Sequence, residues 1–208
     1  MPQASVLLAF MAAALALNFT PGADMAYVVA RSLAQGRSAG LLSALAITVG
    51  CVVHIGLATL GLAALLAHSP LAFRLLQYVG TVYLLFIAWR LLREDTRARN
   101  ALVAPARQGR IFIQGVLTNV LNPKVALFIL AFLPQFVDPA RGSPTAQMLV
   151  LGALFCLSGT IVNGTIALAM AEAGRAVAGS FAPALWLRRV SAGILALLAL
   201  RLALAAKS

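Results

Sequence analysis

The sequence predicts an all-α integral membrane protein with six transmembrane helices arranged as two inverted three-helix repeats. Three observations carry that expectation: the apolar fraction, the length of the uncharged runs, and an internal repetition of short motifs. Of 208 residues, 62% are hydrophobic and 10% are charged, whereas a soluble domain carries about 45–50% apolar and about 25% charged residues. The formal charge of +11 has no soluble basic domain to carry it, so no nucleic-acid partner is expected.

A hydrocarbon core about 30 Å thick needs roughly 20 helical residues to cross it. Residues 3–30 contain Asp24 as their one charge, 39–67 contain His54 as their one ionisable group, 111–137 contain Lys124, and 142–171 contain none. Met1 to Phe10 holds no Lys or Arg, so the opening apolar run reads as a first span and not as a signal peptide. The third and sixth spans, Leu75 to Trp89 and Val190 to Leu200, are shorter and bounded by Arg74, Arg90, Arg189 and Arg201. Arginines near helix ends reach the interface, so both segments can cross. The count is six, or five without the last segment.

Three motif pairs recur in order. "TPGAD" (Thr20 to Asp24) matches "NPKVA" (Asn122 to Ala126), "GCVVH" (Gly50 to His54) matches "GTIVN" (Gly159 to Asn163), and "GTVYLLFIAWR" from Gly80 has an echo in "GILALLALR" from Gly193. Their offsets rise slowly, from 102 to 109 to 113, as a duplicated unit would give. An odd number of helices per unit turns the second copy upside down. The expected organisation is one domain over 1–208, with repeat one at 3–92, a charged linker at 93–110 and repeat two at 111–206.

Lys and Arg set the orientation. With six spans, the loops on one side carry eleven of them, Arg31 and Arg37, six between Arg90 and Arg110, and Arg175, Arg188 and Arg189, and the side with both termini carries four. The central loop is expected in the cytoplasm and the termini in the periplasm.

The breaks suggest chemistry. A residue before proline is pushed out of helical geometry, and proline suits the first position of a helix. Thr20 with Pro21 and Gly22, and Asn122 with Pro123, can each cap and start a half-helix inside the membrane; simple kinks are the alternative. Exposed backbone at that depth is tolerated only against protein or a water-filled cavity, which points to a midplane binding site. A charge at the centre of a membrane helix costs about 2.5–3.5 kcal/mol on insertion scales. Asp24 and Lys124 are therefore either a structural ion pair or groups that contact a zwitterionic solute or carry a coupling proton. Asn18 and Asn119 read as interhelical hydrogen-bonding groups or ligands. His54 reads as a packing residue or a proton handler, and Asn163 as packing. Cys51 and Cys156 stand outside any metal or redox spacing, and no cofactor or metal is expected.

"NFTPGADMAYVVARSLAQGRSAGLLSALAITVGCVVH", "GTVYLLFIAWRLLR" and "GVLTNVLNPKVALFILAFLPQFVDP" resemble the lysine exporter (LysE) superfamily, and within it the RhtB-like branch of homoserine, homoserine lactone and threonine efflux proteins. The resemblance covers nearly the whole chain. It implies a bacterial inner-membrane exporter of amino acids or close derivatives, driven by the proton gradient and able to form a homodimer. It also implies that Pro21, Gly22, Asn122, Pro123 and Lys124 hold the family's motif positions. Related branches move basic, neutral and hydroxylated amino acids and metal ions. One acidic residue within the spans favours a neutral zwitterion over a dication or metal. An exporter of basic amino acids and a channel for small solutes or ions are the alternatives. Scattered His and Cys offer neither a nucleophile with its base nor a ligand cluster, so an enzyme is not expected.

Overall fold

The computed structural model describes residues 3–68 and 104–176, with isolated helical positions between 71 and 89 and at 193, 196 and 200. Helix α1 (Ala4–Phe19) ends at the Thr20-Pro21-Gly22 break, and α2 (Ala23–His68) follows. Further along the chain come α3 (Gln108–Val120) and the short α4 (Pro123–Leu127), a π turn at Phe128–Phe132, and 3-10 turns at Leu133–Phe136 and Pro139–Arg141. Helix α5 (Pro144–Ala176) closes the described fold.

Helix α2 is folded back on itself at Gly36, whose φ of 77° and ψ of −167° lie outside helical space. Glycine enters this region without the Cβ penalty that other residues meet there. The proof of reversal lies at Gly115 on α3. A Cβ built there would stand 2.6 Å from Ala46 Cβ and 3.3 Å from a ring carbon of Tyr27. Tyr27 and Ala46 are nineteen residues apart, about 28 Å along a straight helix. Only an antiparallel hairpin brings both to one glycine. Its legs are residues 23–35 and 37–68, and α3 packs against both.

Six spans in two inverted three-helix repeats is corrected by this structure. Among the described residues two helices are long and apolar enough to cross a membrane, within Ala23–Gly61 and Pro144–Ala173. A third is reached if Gln108–Val120 and Pro123–Phe136, bent by 46°, count as one span. The reason is that uncharged runs do not register helix breaks. Helix α1 has 16 residues, about 24 Å, which is short of the ~30 Å hydrocarbon core. The first leg of α2 is shorter still, and the crossing portion of that element is its second leg. The expected third and sixth spans are described at isolated helical positions only, and the middle of the linker and the C-terminus lie outside the described residues. Helix α3 already begins at Gln108, inside the segment expected as linker.

The core sits where α1, α5 and the π turn meet. Phe10, Phe128 and Phe132 are fully buried. Phe128 stacks on Phe155 at 4.9 Å between centroids, and Phe10 meets Phe136 edge-on at 5.3 Å. Five consecutive residues, Phe128 to Phe132, contain four buried ones, so this segment is apolar on nearly every side and packs inside protein, as such helices do. Gln147, 1% exposed, ties the preceding loop down by donating to Asp138 O at 2.8 Å and accepting from its N–H at 3.0 Å. The outside carries exposed Leu8, Leu45, Leu60, Ile113, Leu157 and Ile161, an apolar surface that only lipid or protein can cover.

Gly115→Val is expected to overpack the junction of α3 with the hairpin and cost about 1–3 kcal/mol, read as a lower melting temperature in detergent. Ala46→Gly in the same chain is expected to recover a substantial part. Absence of recovery would mean that positions 46 and 115 do not oppose each other.

Candidate functional site

The two breaks meet through Lys124. Its Nζ donates to Leu17 O at 3.2 Å and Thr20 O at 3.0 Å, the carbonyls at the negative end of α1, where a cation is favoured. A Cβ on Gly22 would stand 3.2 Å from that Nζ, so the glycine makes room for the ammonium. Thr20 turns towards α1: its hydroxyl donates to Ala16 O at 2.7 Å. It therefore caps no half-helix start, in contrast to the sequence expectation. Asn122 Oδ1 accepts from the Lys124 backbone N–H at 3.0 Å, with Pro123 at the first turn of α4. Helix α4 has five residues, and this cap occupies its first free amide, so it offers no open anion site of its own.

Asp24, 7% exposed, begins the first leg of α2. Its Oδ2 accepts from Asn119 Nδ2 at 2.8 Å, while its Oδ1 makes no hydrogen bond within 3.5 Å among the described residues, and the Asn122 amide lies close to the carboxylate. The Lys124 ammonium is held by carbonyls and not by Asp24, so the expected ion pair is not formed by direct contact. Asn119 O would ordinarily accept the N–H of residue 123, but Pro123 has none. His54 Nε2 reaches that carbonyl at 3.0 Å, and the Asn122 N–H at 2.9 Å. The carbonyl can only accept, so Nε2 carries the hydrogen. Asn119 Oδ1 and Asn122 Nδ2 are buried without partners among the described residues.

Two small cavities lie beside these groups. One, of about 20 Å³, is lined among others by Asn18, Thr20, Asp24, Lys124, Phe155 and Asn163. The other, of about 30 Å³, is lined by Asp24 and Asn119 together with Thr48, Thr160 and Asn163. Each has room for about one water, which makes this a closed conformation. Of the sequence candidates, Asn18, Thr20, Asp24, Asn119 and Lys124 reach the cavities. Pro21, Gly22, His54, Asn122 and Pro123 stand behind them. The sequence reading missed Thr48 and Thr160, passed over Asn163 as packing, and treated Cys51 and Cys156 as unrelated, although both line the larger cavity. Asn163 was the one with a signal, as the repeat partner of His54.

A second polar cluster lies at the hairpin turn. Arg31, counted from sequence among the loop arginines, is 4% exposed. It donates to Gln35 Oε1 at 3.0 Å, Ala104 O at 3.1 Å and Gln114 Oε1 at 2.7 Å, and lies 5.6 Å from the centre of the Tyr27 ring. Gln35 adds two bonds to the backbone of Ala106. These contacts fasten residues 104–106 and α3 to the first leg of α2.

Apolar helices facing lipid around a closed, charged centre at helix breaks define a class: a membrane translocator of small solutes. The chain belongs to the LysE type translocator family, whose model matches residues 15–206. It is a transporter and a multi-pass helical protein of the bacterial inner membrane. It is similar to an uncharacterized membrane protein of Vibrio cholerae (32% identity, covering 82% of this chain and 83% of that one). It is also similar to the uncharacterized membrane protein YrhP of Bacillus subtilis (30%, covering 73% and 76%). A homoserine/homoserine lactone efflux protein of Salmonella typhimurium is 29% identical over 69% of this chain and 70% of that one. No solved structure matches the chain.

Arg31→Ala strips hydrogen bonds from two half-buried side chains and a carbonyl, and is expected to cost about 2–3 kcal/mol, seen as a lower melting temperature in detergent. Arg31→Lys should recover only part of it, because one ammonium cannot reproduce the guanidinium fork. Equal stability of all three proteins would remove the structural role given to the cluster.

Proposed function

We propose that the protein exports neutral α-amino acids or close derivatives, with Asp24 receiving the ammonium group and Lys124 the carboxylate or carbonyl. One observation carries this reading. An unpartnered carboxylate oxygen and an ammonium group line the same cavity without touching, each held by neutral partners. A zwitterion is the complement of that arrangement. Its charges satisfy both groups and leave the site near neutrality, whereas a dicationic solute would set a second positive charge against Lys124. The name of the Salmonella relative supports the same class of solute.

The Asn122 Nδ2 donor adds a further group within the same break, and Asn119 holds the Asp24 carboxylate in place. Uptake of a proton by Asp24 when the solute leaves would couple export to the proton gradient. The arginine-rich end, with Arg31, Arg37, Arg107 and Arg110, faces the cytoplasm in this reading. Oligomerisation as a homodimer is compatible with the exposed apolar surface and is not required by the site.

The test is counterflow of labelled threonine, homoserine, leucine, lysine and arginine in proteoliposomes. Saturable exchange of a neutral or hydroxylated member is expected. It should fall at least tenfold in Lys124→Ala and in Asp24→Asn at equal membrane abundance, and Pro123→Ala should impair it as well. Wild-type exchange by both charge variants would overturn the roles given to Asp24 and Lys124. A steady conductance in place of saturable exchange would establish a channel.

A further inference from the structure

The larger cavity has a chemistry that the recognition of a zwitterionic head does not use. We infer that Thr48, Thr160 and Asn163 form a side-chain subsite that selects solutes carrying a hydroxyl group over apolar solutes of the same shape. This rests on the assignment of Asp24 and Lys124 above, since it places the solute's side chain beyond its charged head.

Thr48, on the second leg of α2, and Thr160, on α5, bring their hydroxyl oxygens to 2.5 Å. Thr48 Oγ1 is also 3.0 Å from Ala44 O, and Thr160 Oγ1 is 2.8 Å from Cys156 O. Two hydroxyl protons serve three contacts, so one of these contacts always lacks a proton. An incoming hydroxyl can stand between the two threonines, donating to one oxygen and accepting from the other, and so extends the hydrogen-bonded chain by one link. Asn163 lies one turn beyond Thr160 on the same helix. It is 8% exposed, lines both cavities, and makes no hydrogen bond among the described residues. Its amide therefore holds both a donor and an acceptor in reserve.

The two cavities share Asn18, Asp24, Val125, Phe155 and Asn163 in their linings. A solute whose ammonium group meets Asp24 can thus direct its carboxylate to Lys124 and its side chain towards Thr48 and Thr160. The larger cavity, about 30 Å³, matches the size of a hydroxyl or one water in the closed state. A methyl group in that place would leave the Asn163 amide buried and unpaired and could not stand in for the hydrogen bond between Thr48 and Thr160, and this asymmetry lets hydrogen-bonding sites reject analogues lacking the hydroxyl.

Threonine and valine have nearly the same shape and differ in one hydroxyl, so the ratio of their exchange rates in a single proteoliposome preparation reads the subsite independently of protein abundance. The wild type is expected to favour threonine by on the order of tenfold to a hundredfold. Thr48→Val with Thr160→Val should bring the ratio close to one. Thr48→Ser with Thr160→Ser, which keeps both hydroxyls, should preserve the preference and thereby separate loss of chemistry from loss of packing. Asn163→Leu should reduce the ratio on its own. An unchanged ratio in the double valine variant overturns the subsite, as does a wild type that exchanges both amino acids equally or prefers valine. Exchange of neither threonine nor valine, nor of any other neutral amino acid, by the wild type overturns the amino-acid reading itself.

Discussion

The centre of the molecule depends on how a buried ammonium group is kept without a carboxylate in contact. Lys124 stands at the start of one helix, where the dipole opposes it, and is received by the carbonyls that end another. Those carbonyls can receive it because α1 stops at Thr20 and Pro21, although Leu17 O also accepts the Thr20 N–H at 3.1 Å, and the approach is open because Gly22 has no side chain. The break in one segment thus supplies the ligands for the charge carried by the next. Had Asp24 bonded Lys124 directly, the site would be a closed neutral pair. Instead Asp24 turns one oxygen to Asn119 and leaves the other unused, so both charges remain available across a cavity too small to hold a solute.

The same economy of polar groups explains His54. Proline at 123 deprives the Asn119 carbonyl of its ordinary i+4 partner; the Asn122 N–H takes that place, and a histidine from the second leg of α2 adds a second hydrogen bond. In lipid a carbonyl at a helix break must find its partners within the protein, since no water reaches it. This fixes His54 behind the site and ties three elements, α2, α3 and α4, to the position of one backbone oxygen. Asn119 serves twice, through its carbonyl to His54 and through its amide to Asp24, so the geometry of the carboxylate is tied to the break itself.

The sequence made the helix breaks and the buried charges legible because proline and ionisable residues are rare in apolar runs. Membrane class followed from the same runs. Span number did not, because counting uncharged residues cannot register that a helix stops after 16 residues or that α3 and α4 meet at a 46° bend. The role of Thr20 was misread because a threonine before a proline fits either helix end; its hydroxyl bonds backwards to Ala16, which no local pattern distinguishes. Arg31 was misread for a related reason: an arginine near a turn resembles a loop charge until the chain that covers it, residues 104–106, is in view. Thr48 and Thr160 were invisible for want of any signal. Each is an ordinary helix threonine bonded to its own i−4 carbonyl, and their meaning comes from a contact between residues 112 positions apart.

A solute can enter only if elements that now touch move apart, and the contacts differ greatly in what they resist. The first leg of α2 is fastened to α3 by a buried guanidinium, two glutamines and the Tyr27 hydroxyl, which donates to Ile111 O at 2.7 Å. Separating these would strand a buried guanidinium and several half-buried polar groups at once. Between α2 and α5 the polar ties among the described residues are fewer: the Thr48–Thr160 hydrogen bond and an ion pair of Arg37 with Glu172 whose side chains are about half exposed. An exposed pair contributes about 0–1 kcal/mol, and threonine hydroxyls can return to their own carbonyls when parted. In polar ties, the seam lined by the larger cavity is thus the weaker of the two, although the apolar packing between α2 and α5 is extensive. A solute hydroxyl bridging Thr48 and Thr160 would take over the hydrogen bond between them as the seam opens, so the groups that would read the side chain also lie on the seam with fewer polar ties.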